Sequence, residues 1–415
     1  MINIAIMGFG TVGSGVAEVL TKNHDSIARK CGEDIRIKYI LDLRDFPDSP
    51  FADRVIKDFE LIEKDDDIKV VVECLGGLHP SYEFVKRCLL SGKSVSTSNK
   101  ELIAEKGDEL LQIAKDNNLN LLFEASVGGG IPIIRPLDQC LAANEVYEIA
   151  GILNGTTNFI MTKMIREQMP FEQALKLAQE LGYAERDPSA DVDGDDACRK
   201  ICILASLAFG RHVFPSQCYT EGISKITLED VEYAAQIGGV IKLIGRCKKL
   251  PDGRVTLMVA PTIVMRSCQL ANVEDVFNAI LVRGDAIGDV VFYGRGAGKL
   301  PTASAVVADV MDCVKHLNRR KYLFWEKGAP DYVADYREWE TSLYVRASSF
   351  DAEAAFEKAK EIFGEDIRRL HREAEPAGEL AFVTGKDTEI VLMQRMRIYE
   401  NSGCSVIGCI RVCDL

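Results

Sequence analysis

Three residues near the middle of the chain combine a cation with carboxylates at spacings that chemistry can use. Asp196 and Lys200 are four apart in a run whose apolar residues, Ala197, Ile201, Leu204, Ala205 and Ala208, recur near a 3.6-residue period. On a helix such a pair shares one face. A lysine ammonium steadied there by a carboxylate can stabilise a developing oxyanion and deliver a proton to it. Upstream, Gly182 reads as a helix stop, and Glu185 follows in an acid-rich loop. A carboxylate so placed suits a charge-assisted contact with an ammonium group. In isolation the same residues also read as a solvated ion pair and as acids complementing a helix N-terminus. The rest of the chain has to decide.

The chain has 415 residues, enough for two or three domains. With 47% apolar and 27% charged residues and a mean hydropathy of −0.01, its composition is that of a soluble globular protein. A formal charge of −13, from 50 basic against 63 acidic residues and with no basic stripe, argues against nucleic acid as a partner. No apolar stretch has membrane-spanning length, and the N-terminus reads as a strand rather than a signal peptide. The 13 cysteines include no C-x-x-C, which suggests reduced thiols and a cytoplasmic location. Cys198 and Cys202 share a helix face, where packing is their expected use.

Residues 2–7 form a predicted strand that runs into Gly8-Phe9-Gly10-Thr11-Val12-Gly13, with a helical pattern after it. In that context the glycine pattern points to a dinucleotide. Gly8 permits the tight turn, Gly10 a close approach to the pyrophosphate, and Gly13 tight helix–strand packing. Thr11 and Val12 then open the helix that faces the phosphates. A strand over 35–43 ends in Asp42-Leu43-Arg44-Asp45. An acid there would hold the ribose 2′-hydroxyl of NAD, and Arg44 would take the 2′-phosphate of NADP. Both types are present, so use of both is expected, with NADP somewhat favoured. An apolar run over 68–74 meets Gly76, and a strand over 94–97 meets Ser98-Asn99-Lys100. Gly76, Ser98 and Lys100 thus fall on the rim where open α/β sheets bind ligands.

A helix over 101–116 and a strand over 119–123 lead to Glu124-Ala125-Ser126-Val127-Gly128-Gly129-Gly130-Ile131-Pro132. Inward carbonyls beside one carboxylate suit a hard cation, and a domain hinge is the alternative. The βα rhythm then breaks. A helix over 133–143, a strand over 147–153, the run Asn154-Gly155-Thr156-Thr157-Asn158, a helix over 196–210 and strand-rich segments over 255–264 and 273–291 describe an α+β domain. A second glycine loop, Gly294 to Gly298, opens a helix over 305–316 that returns to the first domain. Polar residues over 318–336 resemble a linker. The tail reads strand 342–347, helix 352–363, strands 367–372 and 379–384, helix 389–401 and strand 405–412, a small split-βαβ sandwich.

Taken together, these runs resemble the homoserine dehydrogenase family over nearly the whole chain. The matching motifs are Gly8 to Gly13, Ser98-Asn99-Lys100, Glu124 to Pro132, Gly151 to Asn158, Leu181 to Glu185 and Asp196 to Lys200, all in order. The resemblance implies interconversion of L-aspartate 4-semialdehyde and L-homoserine with NAD(P)H, on the way to threonine and methionine. It implies that Lys200 is the acid/base lysine, Asp196 its partner, Lys100 a second lysine at the active site and Glu185 the anchor for the substrate's α-ammonium. Gly182 would lie on the substrate and Gly298 on the cofactor. A monovalent cation, Na+ or K+, would be held by Glu124 and by the main-chain oxygens of Val127, Gly129 and Ile131. A homodimer or homotetramer is implied in the same way.

The resulting fold class is α/β. A Rossmann-type doubly wound domain covers 1–131, with a return helix over 300–318, and a catalytic and dimerisation α+β domain covers 132–299. A linker over 319–339 and a βαββαβ domain over 340–415, similar to an ACT domain, complete it. The turn Ser348 to Ala352 lacks the glycine that ACT ligand sites present, so chain pairing is expected of this tail rather than amino-acid binding. Two other functions are compatible with the residues. One is a dehydrogenase of another small amino-acid aldehyde, the other a non-catalytic NAD(P)-sensing regulator.

Overall fold

Six strands build the sheet at the N-terminal end, and the two at its centre, Ile2–Met7 and Ile68–Glu73, read as near-continuous apolar runs, as strands buried on both faces do. The six are β1 (Ile2–Met7), β2 (Ile35–Leu41), β3 (Val55–Ile56), β4 (Ile68–Glu73), β5 (Ser94–Thr97) and β6 (Leu121–Leu122). The computed structural model describes residues 1–317, 319–320 and 323–413. Asn318, Lys321 and Tyr322, at the end of the expected return helix and in the expected linker, and Asp414 and Leu415 in the expected tail lie outside the described residues. The chain divides into two compact units.

The first unit comprises Met1–Val146, Arg199–Gln217 and Arg283–Pro330. Its sheet is parallel throughout, in the order β3-β2-β1-β4-β5-β6. This is the doubly wound order, and the strand sequence reverses between β1 and β4. Ile6 pairs with Ile40 on one side and Val72 on the other, all three fully buried. The return helix, Lys299–Lys315, lies against helix Thr11–Lys22. Gly15 makes that approach possible, since a Cβ there would stand 2.9 Å from Lys299 O.

The second unit comprises Tyr147–Cys198, Cys218–Val282 and Asp331–Leu415. Its strands are β7 (Val146–Ile152), β8 (Tyr219–Thr220), β9 (Gly239–Lys249), β10 (Val255–Met265) and β11 (Phe277–Gly284). After β12 (Gly288–Arg295) follow β13 (Glu340–Ser348), β14 (Arg368–Leu370), β15 (Glu379–Val383), β16 (Asp387–Thr388) and β17 (Ser405–Val412). The sheet order is β11-β7-β9-β10-β17-β13-β15-β14, with β8 on β10 and β16 on β13. Within the tail, β17-β13-β15-β14 pair antiparallel and carry two helices, Ala352–Phe363 and Glu389–Asn401, over a core that includes Leu343, Phe356, Phe382 and Tyr399. This is the split-βαβ arrangement expected of it. Its strand β17 also pairs in parallel with β10, Thr262 with Arg411 and Ile263 with Val412. The tail therefore continues the sheet of the second unit instead of hanging behind a linker.

Two local readings change. The expected helix over 133–143 shrinks to a short turn with a π segment, Pro136–Cys140, closed by Leu141 N–H donating to Pro136 O. Pro136 has no N–H for a regular helical bond, which explains the interruption. Strand β9 has no counterpart in the sequence reading, because Lys242 and Arg246 break its apolar run. Both are buried and partnered: Lys242 Nζ donates to Asn158 Oδ1 and Val273 O, and Arg246 binds Glu148. Burial pushes the Lys242 ammonium down to about 8. Among the described residues, no helix is long and apolar enough to cross a membrane.

Candidate active site

In the first unit the glycine loop has the geometry its spacing implies. Gly8 has φ +91°, and a Cβ there would lie 2.7 Å from Cys74 O. At Gly13 a Cβ would come within 1.9 Å of Gly8 O. Gly10 is different. The nearest atom to its notional Cβ is Arg44 Nη2 at 3.8 Å, which leaves space over the loop. Helix Thr11–Lys22 starts directly behind it, so the N–H groups of Thr11, Val12 and Gly13 form its N-terminal turn, from exposed Thr11 to buried Gly13.

Asp42, at the end of β2, closes this corner. Its carboxylate accepts Phe9 N–H at 2.7 Å and Arg44 N–H at 2.9 Å, and it binds the Arg44 guanidinium in bidentate fashion at 3.0 and 2.9 Å. The Arg44 side chain, with help from these N–H groups, holds the Asp42 carboxyl well below the usual carboxylate range. Arg44 remains 63% exposed. Across the switch point, Gly76 has φ +79° and donates its N–H to Glu73 Oε1. Glu73 is fully buried and also accepts from Leu75 N–H, Ser81 Oγ and Thr97 Oγ1. Sequence reasoning passed over it, although an acid at the end of an apolar strand was the visible signal.

Ser98 and Lys100 stand just beyond β5, where Asn99 caps helix Lys100–Asp116 by accepting Leu102 N–H and fixes Gly77 O at 2.6 Å. Glu101 and Arg199, the neighbours of Lys100 and Lys200 in sequence, form an ion pair at 3.7 Å. The two lysines are thereby anchored through adjacent residues. The Glu124 loop folds onto the second glycine loop. Gly130 N–H donates to Arg295 O, and a Cβ on Gly129 would lie 2.1 Å from Gly296 O. Gly298, with φ +125°, then starts helix Lys299–Lys315. Glu124 is buried and accepts Ile133, Ile134 and Arg135 N–H at 2.7, 2.9 and 2.9 Å. Asp309 accepts Glu124 N–H and binds Arg135 Nη2 at 2.7 Å. Burial, with Glu124 alongside, pushes the Asp309 carboxyl up to about 8.

In the second unit the residues after β7 gather the acidic segment. Asn154 caps helix Gly155–Glu167, Thr156 Oγ1 donates to Tyr183 O at 2.7 Å, and Asn158 Nδ2 donates to Val273, Asp275 and Phe277 carbonyls. The expected acidic loop contains a short helix, Ser189–Val192. Asn154 Nδ2 reaches Asp191 Oδ1 at 2.7 Å and Asp196 Oδ2 at 2.9 Å. Asp196 is in the first turn of helix Asp195–Phe209, with Lys200 one turn on. They are only 5% and 8% exposed. A solvated surface pair is thus excluded. Gly182, with φ +76°, and Glu185 are exposed, and the structure leaves them outside this hydrogen-bonded group. The Glu185 carboxylate has no ion pair among the described residues.

Two family models cover most of the chain. A homoserine dehydrogenase model matches residues 132–311, and a homoserine dehydrogenase NAD-binding-domain model matches residues 8–124. A homoserine dehydrogenase of Neisseria gonorrhoeae is 46% identical over 317 residues, 76% of this chain and 72% of that protein. The chain belongs to the homoserine dehydrogenase family. The crystal structure of a homoserine dehydrogenase from Thiobacillus denitrificans superposes with a TM-score of 0.91 at 34% identity, covering 100% of this chain and 98% of that one. A hyperthermophilic archaeal homoserine dehydrogenase solved in complex with NADPH matches with a TM-score of 0.63 at 28% identity, over 75% of this chain and 97% of its own. This family member is accordingly an NAD(P)-dependent oxidoreductase with a Rossmann-type domain. Residues 312–415 lie beyond both family models.

Proposed function

We propose that the chain reversibly reduces L-aspartate 4-semialdehyde to L-homoserine, in the biosynthesis of threonine and methionine. The observation that carries the reading is the burial of Asp196 and Lys200 one helical turn apart. The bound coenzyme supplies the hydride. As charge develops on the aldehyde oxygen, the Lys200 ammonium neutralises it and delivers a proton, and in the reverse direction the lysine accepts that proton. Asp196 orients the lysine, and Lys100 adds a second positive charge. Glu185 takes the α-ammonium of the substrate, and the bare backbone of Gly182 lets the substrate pass close. Exposure of Glu185 and Gly182 in the substrate-free chain supports these two roles.

Gly8, Gly10, Thr11, Val12 and Gly13 would hold the pyrophosphate, with Gly76, Ser98, Lys100 and Gly298 on the nicotinamide side. At the ribose, Asp42 suits a 2′-hydroxyl and Arg44 a 2′-phosphate, which supports use of NAD and NADP alike. A monovalent cation, Na+ or K+, suits the Glu124 loop. Among the described residues, the main-chain oxygens of buried Val127, Gly129 and Ile131 receive no backbone hydrogen bond, which supports a role for them as cation ligands. The tail is proposed to be ACT-like and to pair chains into a dimer or tetramer rather than to bind an amino acid. Asp351 already accepts Glu353 and Ala354 N–H at the helix start where a ligand would dock. Coenzyme absorbance followed with L-aspartate 4-semialdehyde, with and without threonine, tests the whole reading. Absence of turnover in the wild-type enzyme would overturn it.

A further inference from the structure

The loops that follow β4 and β5 leave the carboxyl edge of the parallel sheet side by side, and one buried carboxyl group ties them together. Glu73 and Thr97 are the last residues of their strands and pair with each other across them. Both are fully buried. On one side, Glu73 Oε1 accepts Leu75 N–H at 2.8 Å and Gly76 N–H at 3.3 Å. Two successive main-chain donors on one oxygen curl the loop back over the strand end, where Gly76 and Gly77 take φ of +79° and +68°. The Ser81 hydroxyl, 3.2 Å from both Glu73 Oε1 and Gly76 O, braces the same loop. On the other side, Glu73 Oε2 accepts the Thr97 hydroxyl.

Thr97 has one hydroxyl proton, and giving it to Glu73 leaves the oxygen to accept Asn99 N–H at 2.9 Å. Asn99 Oδ1 caps helix Lys100–Asp116 through Leu102 N–H, so its amide nitrogen faces Gly77 O at 2.6 Å. These bonds close a circuit that runs from Glu73 through Thr97 and Asn99 to Gly77, and back through Gly76. The two loops meet at the Glu73 carboxyl group, which accepts from both.

We propose that Glu73 is a positioning residue for the nicotinamide end of the coenzyme. It sets the spacing between the Gly76 loop and the segment Ser98–Lys100 without touching the coenzyme, acting through Thr97 and two main-chain N–H groups. This rests on the placement of Gly76, Ser98 and Lys100 on the nicotinamide side. The Gly8–Gly13 loop and Asp42 stand outside the circuit, so the other half of the coenzyme is held independently of it.

The test compares each coenzyme with an analogue that lacks only the nicotinamide, NADPH with ADP-ribose 2′-phosphate and NADH with ADP-ribose. Glu73→Gln keeps an oxygen for Leu75 and Gly76 N–H but turns an amide nitrogen toward Thr97 in place of an acceptor. Thr97→Val keeps the shape and removes the hydroxyl, whereas Thr97→Ser retains it. Glu73→Gln and Thr97→Val should each weaken the complete coenzymes about tenfold, the order for one lost buried hydrogen bond, and leave the affinity of the analogues unchanged. Their kcat should fall about 10²-fold through misplacement of the reacting carbon. Thr97→Ser should restore both quantities. Equal losses for coenzyme and analogue in Glu73→Gln, an unchanged coenzyme affinity there, or a Thr97→Ser enzyme that behaves like Thr97→Val would overturn the proposal. Lys100→Ala separates it from the reading it rests on. If that variant leaves the ratio of coenzyme to analogue affinity unchanged, the placement of the nicotinamide is itself overturned.

Discussion

The two units each bring a pair of acids together, and they hold them by different bonds. In the first, Glu124 is surrounded by three main-chain N–H groups, while Asp309 faces Arg135 and has its carboxyl pushed up to about 8. In the second, Asp191 and Asp196 share a single neutral amide. Main-chain N–H groups thus hold Glu124, whereas a side-chain amide orients Asp191 and Asp196. The contrast separates an acid held by the main chain from acids held by one side chain.

The largest expected effect is on the helix that carries Asp196. Lys200→Ala should lower kcat by roughly 10²–10⁴ through loss of a positioned acid/base group. Coenzyme affinity, read by fluorescence titration, should be retained, because the glycine loop is untouched. A variant with more than half the wild-type kcat would end the assignment. The pair in the first unit should respond in stability instead. Arg135→Ala removes a hydrogen-bond donor from buried Asp309 and should cost about 1–3 kcal/mol in chemical denaturation. The sign with pH follows from the raised carboxyl. Stability contributed by protonated Asp309 is complete below the ordinary aspartate range and is lost as pH rises toward about 8. Asp309→Asn should therefore flatten the fall in stability between pH 5 and 9 while changing kcat little. An unchanged slope would show that Asp309 does not carry the proton.

Smaller effects sharpen the distinction at the rim. Glu185→Ala should raise KM for the amino acid about 10- to 100-fold, the range for a hydrogen bond to a charged group, with a lesser change in kcat. Arg44→Ala should weaken NADP about fivefold more than NAD, a modest effect because Arg44 is solvated and already engaged by Asp42. Equal losses for both coenzymes would place the 2′-phosphate elsewhere.

Much of this was legible from local pattern. The strand Ser94–Thr97, both tail helices and the final strand Ser405–Val412 end where periodicity and turn residues put them. The glycine loop was readable because its geometry is dictated by residues a few positions apart. The bonds that define the acid pairs were not readable. Asn154 and Asp196 are 42 positions apart, and Glu124 and Asp309 are 185 apart. Strand β9 escaped notice for a related reason, since Lys242 and Arg246 are compatible with burial only through partners on distant segments. Periodicity reports which face is covered, not what covers it.

The position of β17 bears on how the molecule is made. It is the last strand of the chain, yet it lies in the middle of its sheet, between β10 and β13. During synthesis, β9 and β10 can zip together early, while one flank of β10 waits for residues more than 140 positions downstream (Thr262 with Arg411). Until residues 405–412 are made, the part of that flank beyond β8 is an open edge, able to pair with another nascent chain. Completion of the second unit therefore waits for residues 405–412, and a chain cut before them would leave that part of the sheet unpaired.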